Sequence, residues 1–217
     1  MTRFSVEDAA KLAEASYKST NIISPKVMKS CPDRDVQAHF LEGDILLLPG
    51  SNSVSDYLRF NLRPLRLGHR SLKIDDNGAE TGASGTRWHQ GFLAYSAVIM
   101  HWLTLENARP RFIIGHSLGA AATQILAKSY RVPAIAFAGP RPKFSRNRVM
   151  HDRKCLLINR GDDPVPRLPT SFFHLAKVKK IALAQGSHGI AHSMRHYRSI
   201  VDTGLSHGLL PSHWAGE

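Results

Sequence analysis

Residues 111–119, Arg-Phe-Ile-Ile-Gly-His-Ser-Leu-Gly, join an apolar run to a Gly-x-Ser-x-Gly pentapeptide. The mostly small and apolar segment Ala120–Leu126 follows directly. This order predicts a buried strand, a tight turn and a helix. Gly115 and Gly119 fit a turn that leaves no room for nearby side chains, and the serine between them should take strained backbone angles. Ser117 is therefore expected at the bend, with its hydroxyl near a helix N-terminus that favours a developing oxyanion.

A strand, a sharp turn and a helix with serine at the bend are typical of the nucleophile elbow of α/β-hydrolases. The rest of the chain favours the same fold class, because apolar strand patterns alternate with helical ones. We expect helices at about 5–17, 91–107 and 190–201, a hairpin from 36–41 and 45–48, and strands at 134–138, 154–159 and 174–182. This alternation predicts a mostly parallel central sheet with helices on both faces. The length fits a single domain over residues 1–217.

The net charge of +12 indicates which partners the protein could attract and says nothing about its fold. Nucleic acid and an anionic lipid surface would both be attracted by such a charge. The basic residues are scattered, with small clusters at 63–70 and 141–153, and no nucleic-acid-binding motif accompanies them. We therefore expect no nucleic acid partner. Peripheral contact with an anionic membrane is a hypothesis, and plain solubility is the simpler interpretation.

Composition and the chain ends narrow the class further. A hydrophobic content of 42 % argues against disorder, and no apolar run approaches the ~20 residues that span a bilayer. The first residues carry charge where a signal peptide would be apolar, so we expect synthesis in the cytosol. Cys31 and Cys155 have no metal-like or redox-like spacing, which favours reduced structural thiols.

A catalytic serine needs further groups, because its hydroxyl is a poor nucleophile at neutral pH. A base must take its proton, and an acid must orient that base. In α/β-hydrolases the three follow one another as serine, acid and histidine. After Ser117 the chain offers the adjacent carboxylates Asp162 and Asp163. Prolines at 164 and 166 stiffen the loop and favour Asp163, with Asp162 as the second choice.

The histidine has several candidates, at positions 188, 192, 196 and 207. His188, His192 and His196 share i, i+4 spacing, so two of them could bind a metal on one helix face. No third carboxylate or thiolate ligand is evident, and serine chemistry needs no metal, so we expect none. Order and spacing favour His192 as the base, with His196 as the second choice.

Five segments in the same order resemble the class 3 lipase family, whose fungal members are triacylglycerol lipases. They are Leu48–Ser51 with Asp56–Leu58, Trp88–Phe92, Gly115–Gly119, Phe137–Arg141 and Asn159–Pro169. The stretch 192–197, His-Ser-Met-Arg-His-Tyr, resembles the form of bacterial-type members. The chain departs from the family pattern at Pro49, Tyr57 and Ala120 and by one extra residue before Asp163, which keeps Asp162 open. None of these departures removes a chemical group that the reaction requires.

The resemblance implies site residues and chemistry. It places the acid on Asp163 and the base on His192. The oxyanion would be held by the backbone N–H of Leu118, the residue after the nucleophile, and by resemblance by the backbone N–H of Ser51. His89 and Asp56 would brace the oxyanion loop, and His116 is expected to pack beside the nucleophile without acting as a catalyst. No metal or organic cofactor is implied.

The substrate class implied by the resemblance is a lipid ester, either a glyceride or a phospholipid at its acyl position. Residues 63–86 are interpreted as a long irregular loop in the interval where the family carries a lid. Their mixture of leucine and arginine suits an anionic lipid interface or, equally, a solvated basic loop. Two alternatives remain: a soluble short-chain esterase or thioesterase, and a catalytically inactive basic module that holds membranes or nucleic acid.

Overall fold

The computed structural model describes residues 3–17, 21–50, 78–182 and 192–217, and the backbone alone of 65–67 and 70–72. The strands are β1 (Phe4–Ser5), β2 (Val27–Ser30), β3 (His39–Leu41), β4 (Ile45–Leu48), β5 (Leu65–Leu67), β6 (Arg70–Leu72), β7 (Ala79–Thr81), β8 (Arg87–His89), β9 (Phe112–His116), β10 (Ala134–Phe137), β11 (Cys155–Arg160), β12 (Val178–Ile181) and β13 (His213–Trp214). The helices are α1 (Val6–Ala15), α2 (Gln90–Leu105), α3 (Leu118–Tyr130) and α4 (Met194–Ser206), with 3₁₀ turns at Asp152–Lys154 and Val165–Arg167.

The central sheet has seven strands within the described ranges, in the order β12-β11-β10-β9-β4-β3-β2. The strands β4, β9, β10, β11 and β12 run parallel to one another. The hairpin of β3 and β4 adds the antiparallel pairs at one edge, where β2 is the last strand. The expected mostly parallel sheet is therefore confirmed, and so is the hairpin.

Helices cover both faces of this sheet, and the sequence of β9 indicates why. Ile113 packs in an apolar cluster with residues of α2 and α3. Its neighbours Phe112 and Ile114 belong to a second cluster with residues of α1 and α4. Successive side chains of a strand point to opposite faces, so a strand buried on both faces is apolar throughout. The two clusters form the core above and below the sheet.

Local signals set several helix boundaries. The hydroxyl of Ser5 accepts a hydrogen bond of 3.2 Å from the backbone N–H of Asp8, which caps α1 as the Ser5–Asp8 pattern indicates. The helix α2 begins after His89, whose Nδ1 accepts from the Phe92 N–H. A histidine cap is not a usual start signal, and the sequence placed this start one residue late.

The last helix lies further along the chain than the predicted range of 190–201. The helix begins at Met194 after Ser193 and continues to Ser206. Apolar residues at 200 and 201 end the strong pattern in the sequence, but Gly204 is also buried in this helix, close to Leu210. Packing against the end of the chain thus extends α4 beyond its sequence signal.

The interpretation of residues 63–86 as an irregular loop is wrong where the structure describes them. The strands β5 and β6 form one antiparallel pair, and β7 pairs with β8 in another. The alternation Leu65-Arg66-Leu67 is itself a period-two signal, which the surrounding polar residues obscured. Whether residues 63–86 act as a lid stays a prediction.

Three further points concern the chain as a whole. Cys31 and Cys155 are free thiols, as expected. Within the described ranges, none of the helices combines the length and apolar character needed to cross a bilayer. The single domain over 1–217 stays a prediction.

The core can be tested at Leu46, which lies in the middle of β4 with 0 % of its side chain exposed. Leu46→Ala should lower the free energy of unfolding by about 2–5 kcal/mol, because it removes buried methyl groups and leaves a cavity. Leu105→Ala is the matched control, since that leucine is 73 % exposed, and should change it by less than about 0.5 kcal/mol. Denaturant titration measures both, and equal losses would contradict the assigned core.

Candidate active site

Three segments that are distant in sequence meet at one edge of the sheet. Ser117 follows β9, Asp163 follows β11, and His192 precedes α4. Parallel strands bring their carboxyl ends to the same edge, where open α/β sheets build their sites. The topology therefore places the serine and the carboxylate side by side.

The turn at Ser117 has the strained geometry that the sequence predicts. Its φ is 57° and its ψ is −122°, which is a costly conformation for a residue with a side chain. The turn lies directly against the end of β4, because a Cβ at Gly119 would come within 2.1 Å of the Leu48 carbonyl oxygen. Only glycine allows this approach, so α3 starts in contact with the segment that follows β4.

The side chains of Ser117, His192 and Asp163 form a continuous hydrogen-bonded chain. The Ser117 hydroxyl donates to His192 Nε2 over 2.7 Å, and His192 Nδ1–H donates to Asp163 Oδ2 over 2.9 Å. All three residues are buried, with exposed fractions of 1 %, 7 % and 1 % in that order. The histidine tautomer is the one that leaves Nε2 free to accept the serine proton.

The carboxylate of Asp163 has further partners. Tyr197 donates its hydroxyl to Oδ2 over 2.7 Å, and the Val165 N–H donates to Oδ1 over 3.0 Å. The Tyr197 oxygen also accepts from the backbone N–H of Arg160. Burial and the charge of Asp163 raise the pKa of Tyr197 well above its ordinary value, so its proton stays in place. Sequence reasoning missed Tyr197, whose only signal is its position in the 192–197 stretch.

Asp162 and His196, the second choices for the acid and the base, are not part of this hydrogen-bonded chain. The Asp162 side chain is 59 % exposed and pairs with the guanidinium of Arg160 at 2.6 Å, so it faces away from His192. His196 lies in the first turn of α4, where its N–H donates to the Ser193 carbonyl. Among the described residues, neither Asp162 nor His196 makes a hydrogen bond with Ser117 or His192.

His116 is buried beside the nucleophile, as expected of a packing residue, but its ring is also hydrogen-bonded at both nitrogens. Nδ1 contacts the Tyr17 hydroxyl, and Nε2–H donates to the His192 carbonyl oxygen over 3.0 Å. The Tyr17 oxygen accepts from the Gly50 N–H over 3.2 Å. Burial and the nearby charge of His192 lower the pKa of His116 well below its ordinary value, which keeps the ring neutral. No sequence pattern indicates a role for Tyr17 in the site.

Of the two predicted oxyanion donors, only Leu118 lies within the described residues. Leu118 is the first residue of α3, so its N–H has no acceptor within the helix. Ser51, Asp56 and His188 lie outside the described residues. The segment leading to Ser51 is close by, since a Cβ at Gly50 would lie 2.7 Å from the Ser117 Cβ.

The remaining predictions concern His89 and a metal. His89 packs its ring on Phe92 and Phe172 and accepts the helix-capping bond, and its role in bracing the oxyanion loop stays a prediction. In the part of the chain that the structure describes, no group of three or more histidine, cysteine or acidic side chains could hold a metal ion.

Comparison with solved structures identifies fungal lipases as structural neighbours. Lipase II from Rhizopus niveus has a TM-score of 0.53 and 13 % identity, covering 86 % of this chain and 81 % of that one. The Rhizomucor miehei lipase in its native propeptide complex has a TM-score of 0.50 and 15 % identity, covering 92 % and 78 %. Lip2 lipase from Yarrowia lipolytica has a TM-score of 0.50 and 16 % identity, covering 86 % and 80 %.

These likenesses confirm the expected α/β-hydrolase fold. No protein-family model matches the sequence, and no curated protein matches it. At 13–16 % identity the structural likeness concerns the fold, so the chemistry depends on the residues themselves.

Gly50 tests the packing around the nucleophile. Gly50→Ala would place a methyl group 2.6 Å from the Tyr17 hydroxyl and 2.7 Å from the Ser117 Cβ, so the segment must move away from Ser117. We expect the rate of Ser117 labelling by a fluorophosphonate to fall by about 100-fold. Gly161→Ala is the control, because its new methyl group meets only Lys180 Cε, at 3.8 Å. Similar labelling rates in both variants would contradict the assigned contact.

His174 tests the pH dependence of stability. Its Nε2–H donates to the Pro166 carbonyl in the loop after Asp163, and burial, with the charge of Arg141, lowers the pKa of His174 to about 4. Between this value and the ordinary value of about 6.5, the unfolded chain binds more protons, so stability falls as pH falls. His174→Gln keeps an N–H donor but cannot titrate.

Between pH 6.5 and 4, we expect the free energy of unfolding of the wild type to fall by up to about 1.4 kcal/mol per pH unit more than that of His174→Gln. Denaturant titration at several pH values measures the difference. Equal slopes for the two proteins would contradict the assigned environment of His174.

Proposed function

We propose that the protein is a serine hydrolase that cleaves carboxylic ester bonds of lipids through an acyl-enzyme. The observation that carries the proposal is the buried chain of hydrogen bonds from Asp163 through His192 to Ser117. The strained turn supports it, because strain of this kind at a polar residue is characteristic of functional sites.

The proposed reaction is an acyl transfer in two steps. His192 Nε2 takes the Ser117 proton while Oγ attacks the ester carbonyl, and the resulting oxyanion is held by the N–H groups of Leu118 and Ser51. The tetrahedral intermediate collapses, and the alcohol leaves with the proton from His192. Water then attacks the acyl-enzyme by the same route and releases the carboxylic acid.

The role proposed for Asp163 is to orient His192 and stabilise the imidazolium that forms in each step. Three donors, from His192, Tyr197 and the Val165 amide, match the oxygens of the buried carboxylate. The same reaction needs neither a metal nor an organic cofactor.

The lipid substrate is proposed from two supports. The structural neighbours are fungal lipases, and the net charge of +12 would favour peripheral contact with an anionic membrane surface. No nucleic acid partner is proposed.

The proposal is tested first by fluorophosphonate labelling and an ester panel. The wild type should be labelled, Ser117→Ala should fold without labelling, and hydrolysis should be fastest on aggregated triglyceride or phosphatidylglycerol. Hydrolysis restricted to dissolved short-chain esters or thioesters would contradict the lipid substrate and indicate a soluble one. An unlabelled wild type that still binds anionic vesicles would indicate an inactive binding module.

Two pairs of variants test the roles. Asp163→Asn should lower kcat by about 10⁴-fold, the size seen when the acid of a serine triad loses its charge and the histidine takes the wrong tautomer. Asp162→Asn should leave kcat within about 2-fold, because that side chain is exposed. His192→Ala and His196→Ala form the second pair, and full activity in His192→Ala would show that another base is used.

A further inference from the structure

A partly buried tyrosine and a buried histidine connect the two sides of the site. Tyr17 follows the end of α1, and His116 is the last residue of β9, directly before Ser117. On one side Tyr17 binds the backbone of Gly50, and on the other His116 binds the backbone of His192. The triad mechanism uses neither side chain.

We propose that Tyr17 and His116 are positioning residues, which together hold the Gly50 backbone and the His192 backbone in register with Ser117. The proposal rests on the proposed ester hydrolysis. Neither residue touches the reacting atoms in this scheme. They act through the segment that leads to the oxyanion donor and through the segment that carries the base.

The direction of every proton in the chain is fixed by its ends. The His192 carbonyl can only accept, so His116 Nε2 carries the ring proton and Nδ1 of the neutral ring is an acceptor. The Gly50 amide can only donate, so the Tyr17 oxygen accepts from it and gives its own proton to His116 Nδ1. Each donor has one acceptor, and only the Nε2–H tautomer of His116 satisfies all three bonds.

The electrostatic setting maintains this arrangement. The rings of His116 and His192 lie 5.0 Å apart between centroids. When His192 becomes an imidazolium during the reaction, a second charge at this distance would oppose it. Burial and that repulsion lower the pKa of His116, and burial raises the pKa of Tyr17, so both stay neutral.

Both bound backbones lie outside helices and strands. Gly50 follows β4, and His192 lies in the turn before α4. Such segments lack the regular hydrogen bonds of a sheet or helix, and side chains must hold them in place. A shift of about 1 Å in a catalytic group can reduce turnover about 100-fold, so this anchoring matters to the rate.

The pair also limits which amide can hold the oxyanion. Because the Gly50 N–H is engaged by Tyr17, it is not available to the developing charge. The next amide along the chain belongs to Ser51, the donor already implied by the family resemblance. Tyr17 thus occupies the Gly50 amide and leaves the Ser51 amide as the candidate donor.

The test compares two tyrosines whose hydroxyl groups bind the backbone. Tyr17→Phe removes one oxygen atom and keeps the ring. Tyr95→Phe is the matched control, because Tyr95 is buried and donates its hydroxyl to a backbone carbonyl, that of Gln37. We expect Tyr17→Phe to lower kcat by about 10- to 100-fold with KM within about 2-fold. The two variants should lower the melting temperature by similar amounts, but Tyr95→Phe should leave kcat within about 2-fold of the wild type.

A rescue at His116 separates hydrogen bonding from packing. His116→Gln retains an N–H for the His192 carbonyl, whereas His116→Leu fills a similar space without it. The glutamine variant should therefore turn over faster than the leucine variant. Equal turnover of these two variants would overturn the proposal, and so would an unchanged kcat in Tyr17→Phe.

A measurement on the wild type covers the case in which the variants fail to fold. The imidazole ¹⁵N chemical shifts of His116 should report the neutral Nε2–H tautomer. The Nδ1–H tautomer or an imidazolium at neutral pH would overturn the hydrogen-bond directions and the proposal with them. Failure of the proposed function is distinguishable, because it would appear as a wild type that neither reacts with a fluorophosphonate nor hydrolyses esters.

Discussion

The contact between the start of α3 and the end of β4 is the constraint on which the site depends. Gly119 lies so close to the Leu48 carbonyl that no other residue fits, and the turn before it holds Ser117 at a positive φ. Strain of this kind is about 1–3 kcal/mol and persists only when surrounding structure maintains it. Here the surrounding structure is a sheet whose strands β4 and β9 are parallel neighbours, buried on both faces.

The second requirement is a buried carboxylate beside His192. A carboxylate at 1 % exposure is unfavourable unless its oxygens are matched by donors. Asp163 meets this condition through His192, Tyr197 and the Val165 amide. Because Tyr197 lies on α4 and Val165 follows β11, the carboxylate also joins two separate elements of the fold. Its electrostatic role and its structural role therefore depend on the same hydrogen bonds.

The sequence predicts those features whose signal is local. The strained turn at Ser117 and the hairpin each depend on residues within about ten positions, and both are found where the sequence predicts them. The flanking prolines favour Asp163 over Asp162 in the sequence, and the structure adds the partners, His192 for Asp163 and Arg160 for Asp162. The bonds of Tyr197 to Asp163 and of Tyr17 to His116 span 34 and 99 residues. No local pattern encodes such contacts, and neither tyrosine could be assigned a partner from sequence.

These long-range contacts connect the packing of the core to the geometry of the site. Tyr17 follows the end of α1 and His192 precedes α4, and the two helices pack together on one face of the sheet. Glu14 and Arg198 join the same helices by an ion pair of 2.8 Å. Being partly exposed, that pair contributes little by itself, so the apolar contacts between α1 and α4 set their separation. The span from Gly50 through Tyr17 and His116 to His192 therefore depends on the core packing of α1 and α4. It follows that the positions of Ser117 and His192 relative to one another are a property of this helical layer as much as of the turn itself.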